Sequence, residues 1–221
     1  MSALFFQAAV FDVDGTLFDT ERLNLDVWQS VARELGLPPL EERYLELIGQ
    51  NRAGIRAAVR GFWGEDFPVE SFLQTCSRRA QARVEQEGVP LKPGAREILY
   101  FLRDRGVPLA LATSTGSERT LRRLEMTGLA PYFSSVVTGD QVDRGKPDPE
   151  IFLTACARLG VNPARALAVE DSANGIRSAH AAGMAVAMVP DLIPPAPELE
   201  KLLWGRFDSL LALRDHLAAL P

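Results

Sequence analysis

From Pro93 onward the sequence alternates short apolar segments with helical segments, and this alternation restricts the fold more than any other feature. The apolar segments, each a predicted strand, span residues 107–112, 135–138, 166–169 and 185–189. The predicted helices span residues 94–105, 117–127, 149–159, 172–182, 195–203 and 208–220. A strand that is apolar throughout is buried on both faces, which is typical of a parallel sheet covered by helices. The pattern therefore predicts an α/β fold with a Rossmann-like parallel sheet core and helices on both faces.

A further apolar segment, residues 8–10, lies near the start of the chain and is separated from the other strands by a helical block. In this block, from residue 20 to about residue 88, predicted helices end at Gly36 and Gly49 and span residues 52–63 and 69–87. An interruption of about seventy residues is too long for a loop. We therefore expect an inserted all-helical cap domain at residues 19–90, and a discontinuous core formed by residues 1–18 and 91–221.

Charge and cysteine content exclude several classes of protein. The net charge of −5, from 24 basic and 29 acidic residues, argues against a nucleic-acid binder, which needs a basic surface. Cys76 and Cys156 lack metal-ligand spacing, so free buried thiols in a reducing compartment are expected. The apolar N-terminal run has no basic flank and stops at Asp12, which disfavours a signal peptide or a membrane span. We expect a cytoplasmic protein with no membrane partner, as a monomer or a weak homodimer.

Two carboxylates one residue apart, Asp12 and Asp14, follow the first strand and precede Gly15 and Thr16. Because side chains along a strand alternate between faces, Asp12 and Asp14 point the same way, at the end where open α/β sheets bind ligands. Two like charges this close both stay ionised only beside a cation. The motif predicts a metal site that also carries a nucleophile and an acid, although a solvated acidic strand end is the simpler alternative.

Three later turns carry polar side chains of the same kind. Hydroxyl residues at 113–115 lead through Gly116 into a predicted helix with Ser117 as its N-cap, which suits an anion because helix N-termini offer unpaired N–H groups. Lys146 lies between Gly145 and a proline, and a second acidic pair, at residues 170–171, follows the strand at 166–169. Since the carboxyl ends of parallel strands meet at one edge of a sheet, we expect these turns to converge.

The converging groups favour phosphoryl transfer with magnesium. Four carboxylates are expected together, those of Asp12, Asp14, Glu170 and Asp171. Without a cation, unit charges about 4 Å apart would repel by roughly 4 kcal/mol per pair. Oxygen-only ligands select Mg²⁺ rather than zinc. A magnesium ion, a lysine and a helix N-terminus beside a carboxylate nucleophile are the parts of a phosphoryl-transfer site.

The order of these motifs resembles the haloacid dehalogenase superfamily, in the branch with a small helical cap after the first strand. The matching motifs are Asp-x-Asp-Gly-Thr at 12–16, an apolar strand with Thr-Ser at 113–114, Gly-Lys-Pro-Asp-Pro at 145–149 and Glu-Asp-Ser-x-x-Gly-Ile at 170–176. That branch includes phosphoglycolate phosphatase, sugar phosphatases and β-phosphoglucomutase. The resemblance implies a magnesium-dependent phosphatase that hydrolyses a small phosphorylated metabolite through an aspartyl-phosphate.

The same resemblance implies a role for each matching residue. Asp12 would be the nucleophile, and Asp14 the general acid and base, with its backbone carbonyl also on the metal. Thr113 and the Ser114 amide would hold the phosphoryl group, and Lys146 would pair with the nucleophile and the phosphate. The metal ligands would be Asp12, Asp14, Glu170 and Asp171. The substrate- and phosphate-binding residues would be Gly15, Thr16, Ser114, Thr115 and the cap residue Arg52, for which a solvated surface arginine is the alternative.

Other activities remain as alternatives. A β-phosphoglucomutase-like mutase is the nearest, but this chain has Asn24 where the mutase has a cap histidine, and this favours transfer to water. Dehalogenation is disfavoured because such enzymes lack the second aspartate, which is Asp14 here. A phospho-acceptor module also combines an acidic pair, a Thr or Ser and a Lys on a parallel sheet, but it is much shorter and lacks a helical insert after the first strand. A non-catalytic binding protein would share the fold, yet every expected catalytic side chain is present.

Overall fold

The computed structural model describes residues 4–48, 50, 52–194 and 196–220, except for the side chain of Arg52. Its helices are α1 (Thr20–Glu34), α2 (Glu41–Leu45), α3 (Arg52–Trp63), α4 (Val69–Glu87), α5 (Ala95–Asp104), α6 (Ser117–Thr127), α7 (Glu150–Leu159), α8 (Ala173–Ala181) and α9 (Leu210–Ala219). Its strands are β1 (Ala8–Phe11), β2 (Leu109–Thr113), β3 (Ser135–Thr138), β4 (Ala166–Glu170), β5 (Ala185–Met188) and β6 (Gly205–Arg206).

The chain divides into two compact units. The sheet unit comprises Met1–Phe18 and Leu91–Pro221, and the helical unit comprises Asp19–Pro90. The chain leaves the sheet unit after Phe18 and re-enters it at Leu91. These two residues form an antiparallel bridge, and the Lys92 amide donates to the Leu17 carbonyl. The exit and re-entry segments of the sheet unit are therefore paired with each other through their backbones.

Within the described residues the sheet has six strands, all paired in parallel, in the order β3-β2-β1-β4-β5-β6. Every residue of β1, β2 and β4 is buried. Because neighbouring side chains on a strand point to opposite faces, complete burial means that both faces of these central strands are covered. The predicted α/β fold with a Rossmann-like parallel sheet is confirmed.

One predicted helix is wrong, and one strand escaped prediction. In place of a helix over residues 195–203, the described part of that segment has a short 3₁₀ helix, Glu200–Leu202. Prolines 194, 195 and 197 remove backbone donors that a longer helix would need. The chain then forms the edge strand β6, whose two residues are too few to give an apolar pattern.

Helices α1 to α4 make up the helical unit and enclose a core of their own. Leu23, Val27 and Val31 recur at helical spacing on α1 and pack with four buried residues of α4, which are Phe72, Cys76, Ala80 and Val84. Cys76 and Cys156, in separate units, are both buried and free, as expected. Among the described residues, no helix is long and apolar enough to cross a membrane.

Candidate active site

The candidate site lies where β1 ends between its neighbours β2 and β4. The chain runs from β1 outward through β2 to β3 and then returns to the other side of β1 as β4. The order of strands therefore reverses between β1 and β4, and ligands in open α/β sheets bind at such a reversal. The Asp12 amide donates to the Val169 carbonyl at 2.9 Å, so the first residue after β1 is still held against β4.

Lys146 joins the ends of three strands. Its ammonium donates to Asp12 Oδ1 and to Glu170 Oε1, both at 2.6 Å, and to the Ala112 carbonyl of β2 at 2.8 Å. Only 5% of the lysine side chain is exposed. Burial alone would lower the pKa of Lys146, but the Asp12 and Glu170 carboxylates outweigh it and raise the pKa. Lys146 is therefore a permanent buried cation at the end of β1.

Three buried carboxylates converge beside this lysine. Asp12, Glu170 and Asp171 each offer an oxygen within 4.8 Å of the others. The Glu170 Oε2 atom accepts from the backbone amides of Asp171 and Ser172 and from the Ser172 hydroxyl, all at 3.0 Å. These bonds leave the Glu170 carboxylate fixed, with its other oxygen turned toward Lys146 and Asp12.

This cluster suits a hard divalent cation. Burial raises the pKa of Asp12 above its usual range; Lys146 lowers it, and Glu170 raises it further. The single charge of Lys146 offsets only one of the three carboxylates, so an additional cation would stabilise their ionised forms. The donor atoms are all carboxylate oxygens, which bind Mg²⁺ in preference to softer metals. The residues present therefore fit the metal that the sequence predicts.

The Asp14 carboxylate has other partners. Its Oδ1 atom accepts from Arg123 Nη1 at 2.7 Å, and its Oδ2 atom accepts from the Thr115 hydroxyl at 2.7 Å. The sequence predicts all four carboxylates together; three of them converge, whereas the side chain of Asp14 pairs with an arginine.

Arg123 is a site residue that the sequence motifs do not predict. It lies on α6, on the buried face that also carries Thr120, Leu124 and Thr127. One sequence signal could have identified it: the helical spacing of α6 places this arginine on the buried face. Because arginine is almost never fully buried unless it is paired, that position indicates a charged partner. No motif marks it, because its partner is 109 residues away in the sequence.

The hydroxyl-rich turn after β2 is held by hydrogen bonds and by close backbone contact. Thr113 is buried, and its hydroxyl oxygen accepts from the Thr115 amide at 3.1 Å. Ser114 is exposed, and its carbonyl lies so close to Gly139 that a Cβ atom there would be 2.3 Å from the oxygen. These contacts hold the turn that precedes α6 in a defined shape.

The prediction that Ser117 is the N-cap of α6 is wrong. Gly116, not Ser117, occupies the N-cap position, and Ser117 is the first helical residue. The Asp140 carboxylate, which comes just after β3, accepts from the Ser117 amide at 3.1 Å and from its hydroxyl at 2.8 Å. A carboxylate from a distant turn thus fills the role that local sequence assigned to the serine.

Gly15 and Thr16 both lie against Asp171. Gly15 has φ of +87°, and a Cβ atom there would be 2.2 Å from Asp171 Oδ2, so the turn needs glycine both for its conformation and for space. The Thr16 hydroxyl donates to Asp171 Oδ1 at 3.0 Å. The structure therefore uses both residues to place a carboxylate of the candidate metal site.

The sheet unit brings nearly all of the predicted site residues into one place. Asp12, Lys146, Glu170 and Asp171 form the charged centre, to which Gly15 and Thr16 connect through Asp171. Thr113 and Ser114 belong to the turn at the start of α6, and Thr115 links that turn to Asp14. The side chain of Arg52, a predicted substrate-binding residue, lies outside the described residues.

Comparison with known proteins supports the family resemblance that the sequence motifs indicate. Residues 6–183 match the family model described as haloacid dehalogenase-like hydrolase. The phosphorylated carbohydrates phosphatase of Thermotoga maritima is 37% identical over 182 residues, covering 80% of this chain and 82% of the relative.

Two solved structures are similar over nearly the whole chain. One is a family hydrolase from Deinococcus radiodurans with bound phosphate and sodium, at 32% identity and a TM-score of 0.80, covering 98% of this chain and 96% of that one. The other, from Thermotoga maritima and provisionally described as a β-phosphoglucomutase, has 33% identity and a TM-score of 0.77, covering 97% and 100%. Since the family model spans most of the sequence, the chain belongs to the haloacid dehalogenase-like hydrolases, as its motifs predict.

Proposed function

We propose that this enzyme is a magnesium-dependent phosphatase that hydrolyses a small phosphorylated metabolite of the sugar phosphate or phosphoglycolate class. Membership of a hydrolase family and a relative named as a phosphatase of phosphorylated carbohydrates make a phosphoric monoester hydrolase the natural activity. The single observation that carries the proposal is the contact of Lys146 with Asp12 inside a cluster of three buried carboxylates. That arrangement combines a nucleophile with the positive charge that a phosphoryl group needs.

The proposed reaction has two steps at Asp12. In the first, an oxygen of the Asp12 carboxylate attacks phosphorus, the bond to the ester oxygen breaks, and Asp14 gives a proton to the departing oxygen. In the second, a water molecule attacks the same phosphorus, Asp14 takes a proton from that water, and the bond to Asp12 breaks. Inorganic phosphate leaves, and both aspartates return to their starting protonation states.

Several groups would hold the phosphoryl group during these steps. The Lys146 ammonium donates to Asp12 and would compensate negative charge on the phosphoryl oxygens. The Thr113 hydroxyl, at the end of β2, and the Ser114 amide, between β2 and α6, would donate to the phosphoryl oxygens. The Thr115 hydroxyl donates to Asp14, so we propose that it orients this aspartate. Contact with the phosphate would then come from Thr113 and Ser114.

The metal would be held by Asp12, Glu170 and Asp171, with the Asp14 backbone carbonyl as a further ligand. When bound, Mg²⁺ would supply positive charge that offsets charge developing on the phosphoryl oxygens. Gly15 and Thr16 would act at this site by placing Asp171. We further propose that the helical unit is a cap domain inserted into the catalytic core and that Arg52 contributes to substrate binding.

A phosphosugar mutase is the second candidate, favoured by the similarity to the Thermotoga maritima structure provisionally described as a β-phosphoglucomutase. The two activities differ only in the acceptor, which is a sugar phosphate in the mutase and water in the phosphatase. Asn24 is the residue that favours water, because it cannot replace the histidine carried by the mutase at the corresponding cap position.

The test is phosphate release from a panel of metabolites with magnesium or with EDTA. The panel contains 2-phosphoglycolate, pentose and hexose phosphates, β-glucose 1-phosphate, nucleotides and pyrophosphate. We expect release from one or a few monoesters, lost with EDTA and in Asp12→Asn, but kept in Asp215→Asn, which makes the same change at an exposed position. Conversion of β-glucose 1-phosphate to the 6-phosphate without phosphate release would establish the mutase instead.

A further inference from the structure

The two oxygens of the Asp14 carboxylate are bound by donors of different kinds. Arg123 Nη1 donates to Oδ1 and the Thr115 hydroxyl donates to Oδ2, both at 2.7 Å. The arginine side chain is 8% exposed, whereas that of Asp14 is 21% exposed. Asp14 is therefore more open to solvent than the arginine that holds it.

The arginine comes from α6, the helix whose first turn follows the hydroxyl-rich turn of the site. An ion pair this poorly exposed has to offset the cost of removing a guanidinium from water, and on stability grounds an apolar residue at position 123 would serve the helix as well. Its neighbours on that face, Leu124 and Thr127, belong to the buried side of the helix. The contact with Asp14 is therefore the feature that distinguishes Arg123 from an ordinary core residue.

The chemistry of the two donors makes the two Asp14 oxygens unequal. A guanidinium has only donors, so a proton placed on Oδ1 would face another N–H group. A hydroxyl both donates and accepts, so the Thr115 side chain can rotate to accommodate a proton on Oδ2. The pair of contacts thus fixes the plane of the carboxylate and reserves one oxygen for a proton.

We infer that Arg123 is a positioning residue for proton transfer by Asp14. It holds Oδ1, so that Oδ2, next to Thr115, is the atom that gives the proton to the departing oxygen and later takes one from water. This inference rests on the proposed phosphatase function. In the first step the proton leaves Oδ2 as the bond between phosphorus and the ester oxygen breaks; in the second, Oδ2 receives the proton that water loses.

The test compares two substrates that differ in their need for that proton. An alkyl phosphate requires protonation of its leaving oxygen, whereas acetyl phosphate releases acetate, a stable anion that needs no proton. The variants are Arg123→Gln, Arg123→Lys and the matched control Arg122→Gln, which changes the exposed neighbouring arginine on the same helix. For each, kcat and KM are measured with acetyl phosphate and with the alkyl phosphate that the wild type hydrolyses fastest.

A positioning role predicts a loss that depends on the leaving group. In Arg123→Gln we expect kcat/KM, which reports the first step, to fall about ten- to a hundredfold for the alkyl phosphate and much less for acetyl phosphate. By contrast, kcat also includes the second step, which both substrates share, and can fall for both. Arg123→Lys keeps a cationic donor and should recover part of the loss, and Arg122→Gln should match the wild type. Equal losses of kcat/KM with both substrates would overturn the inference, since a structural defect does not distinguish leaving groups.

The same variants separate an effect on folding from an effect on catalysis. Thermal unfolding of each variant shows whether it is folded, and if Arg123→Gln is not, the comparison between Arg123→Lys and the wild type carries the same prediction with a smaller effect. If the wild type releases phosphate but the variants show no leaving-group dependence, the positioning role fails and the phosphatase stands. If the wild type releases no phosphate from any ester, the proposed function fails, and the inference fails with it.

Discussion

Gly175 lies so close to Glu170 that a Cβ atom at position 175 would be 1.7 Å from Glu170 Oε1. The glycine belongs to the first turn of α8, and its amide donates to the hydroxyl of the N-cap residue Ser172. The same serine also donates to Glu170 Oε2. The missing side chain at position 175 therefore gives Glu170 the space in which it meets Lys146.

Gly175→Ala should displace the Glu170 carboxylate and remove most of the activity. Because the nearby atoms include a fully buried carboxylate, overpacking should also destabilise the protein by about 1–3 kcal/mol. Phosphate release and thermal unfolding measure the two effects. The matched control is Gly61→Ala in α3, where a new Cβ atom meets nothing within 4 Å and where alanine should stabilise the helix by up to about 1 kcal/mol. Normal activity in Gly175→Ala would contradict this account of the Glu170 position.

The sequence predicts the sheet well, for a physical reason. Strands such as β1 and β4 are buried on both faces, so each reads as a continuous apolar run whose position is visible without knowledge of its partners. The strand β6 shows the limit of this approach. It has two residues, Gly205 and Arg206, and depends on pairing with β5 rather than on any pattern of its own.

The site is less predictable wherever a residue acts through a partner far away in sequence. Asp12, Lys146 and Glu170 stand in recognisable sequence motifs. The contacts of Arg123 with Asp14 and of Asp140 with Ser117, by contrast, join segments that no motif connects. Hydrophobic period and capping preference describe neighbours along the chain. They cannot show which distant side chain a buried charge or an exposed helix end will find.

Replacing Lys146 by glutamine should reduce kcat by about 10²- to 10³-fold, the scale seen when one preorganised donor to a developing charge is removed. The change removes the cation that contacts both Asp12 and Glu170, while a similar side-chain volume remains. Steady-state phosphate release at saturating magnesium measures the loss. Lys201→Gln, at an exposed position, is the control and should retain full activity. A loss of less than about tenfold in Lys146→Gln would show that this lysine does not act on the reacting groups.

Magnesium should stabilise the protein against heat even without substrate, because a ligand that binds only the folded state raises the melting temperature with its concentration. Asp171→Asn should weaken this effect by removing one of the three clustered carboxylate charges, and should raise the magnesium concentration needed for half-maximal activity. A magnesium titration followed by thermal unfolding tests the site independently of catalysis.

The control for that titration is Asp215→Asn, which removes a charge at an exposed position of the same unit. It should show the wild-type response to magnesium. If Asp171→Asn responded in the same way as this control, Asp171 would not be a ligand.

Asp140 should make stability depend on pH in the acid range. Hydrogen bonds from Thr138 and Ser117 lower the pKa of Asp140 from the ordinary value of 3.8 to about 2. Since the pKa is lower in the folded protein than in the unfolded chain, the ionised carboxylate stabilises the fold above about pH 4, and this contribution is lost as the pH falls towards 2. The melting temperature of Asp140→Ala should therefore lie below that of the wild type at pH 5–7, and the difference should shrink towards pH 2.

The second variant, Asp140→Asn, separates charge from hydrogen bonding. Its amide oxygen can still accept from the Ser117 amide, but the side chain does not titrate, so it should lie between the wild type and Asp140→Ala near neutral pH. Thermal unfolding at matched ionic strength measures all three proteins. A difference between the wild type and Asp140→Ala that persists unchanged at pH 2 would mean that the Asp140 charge has no part in holding the start of α6.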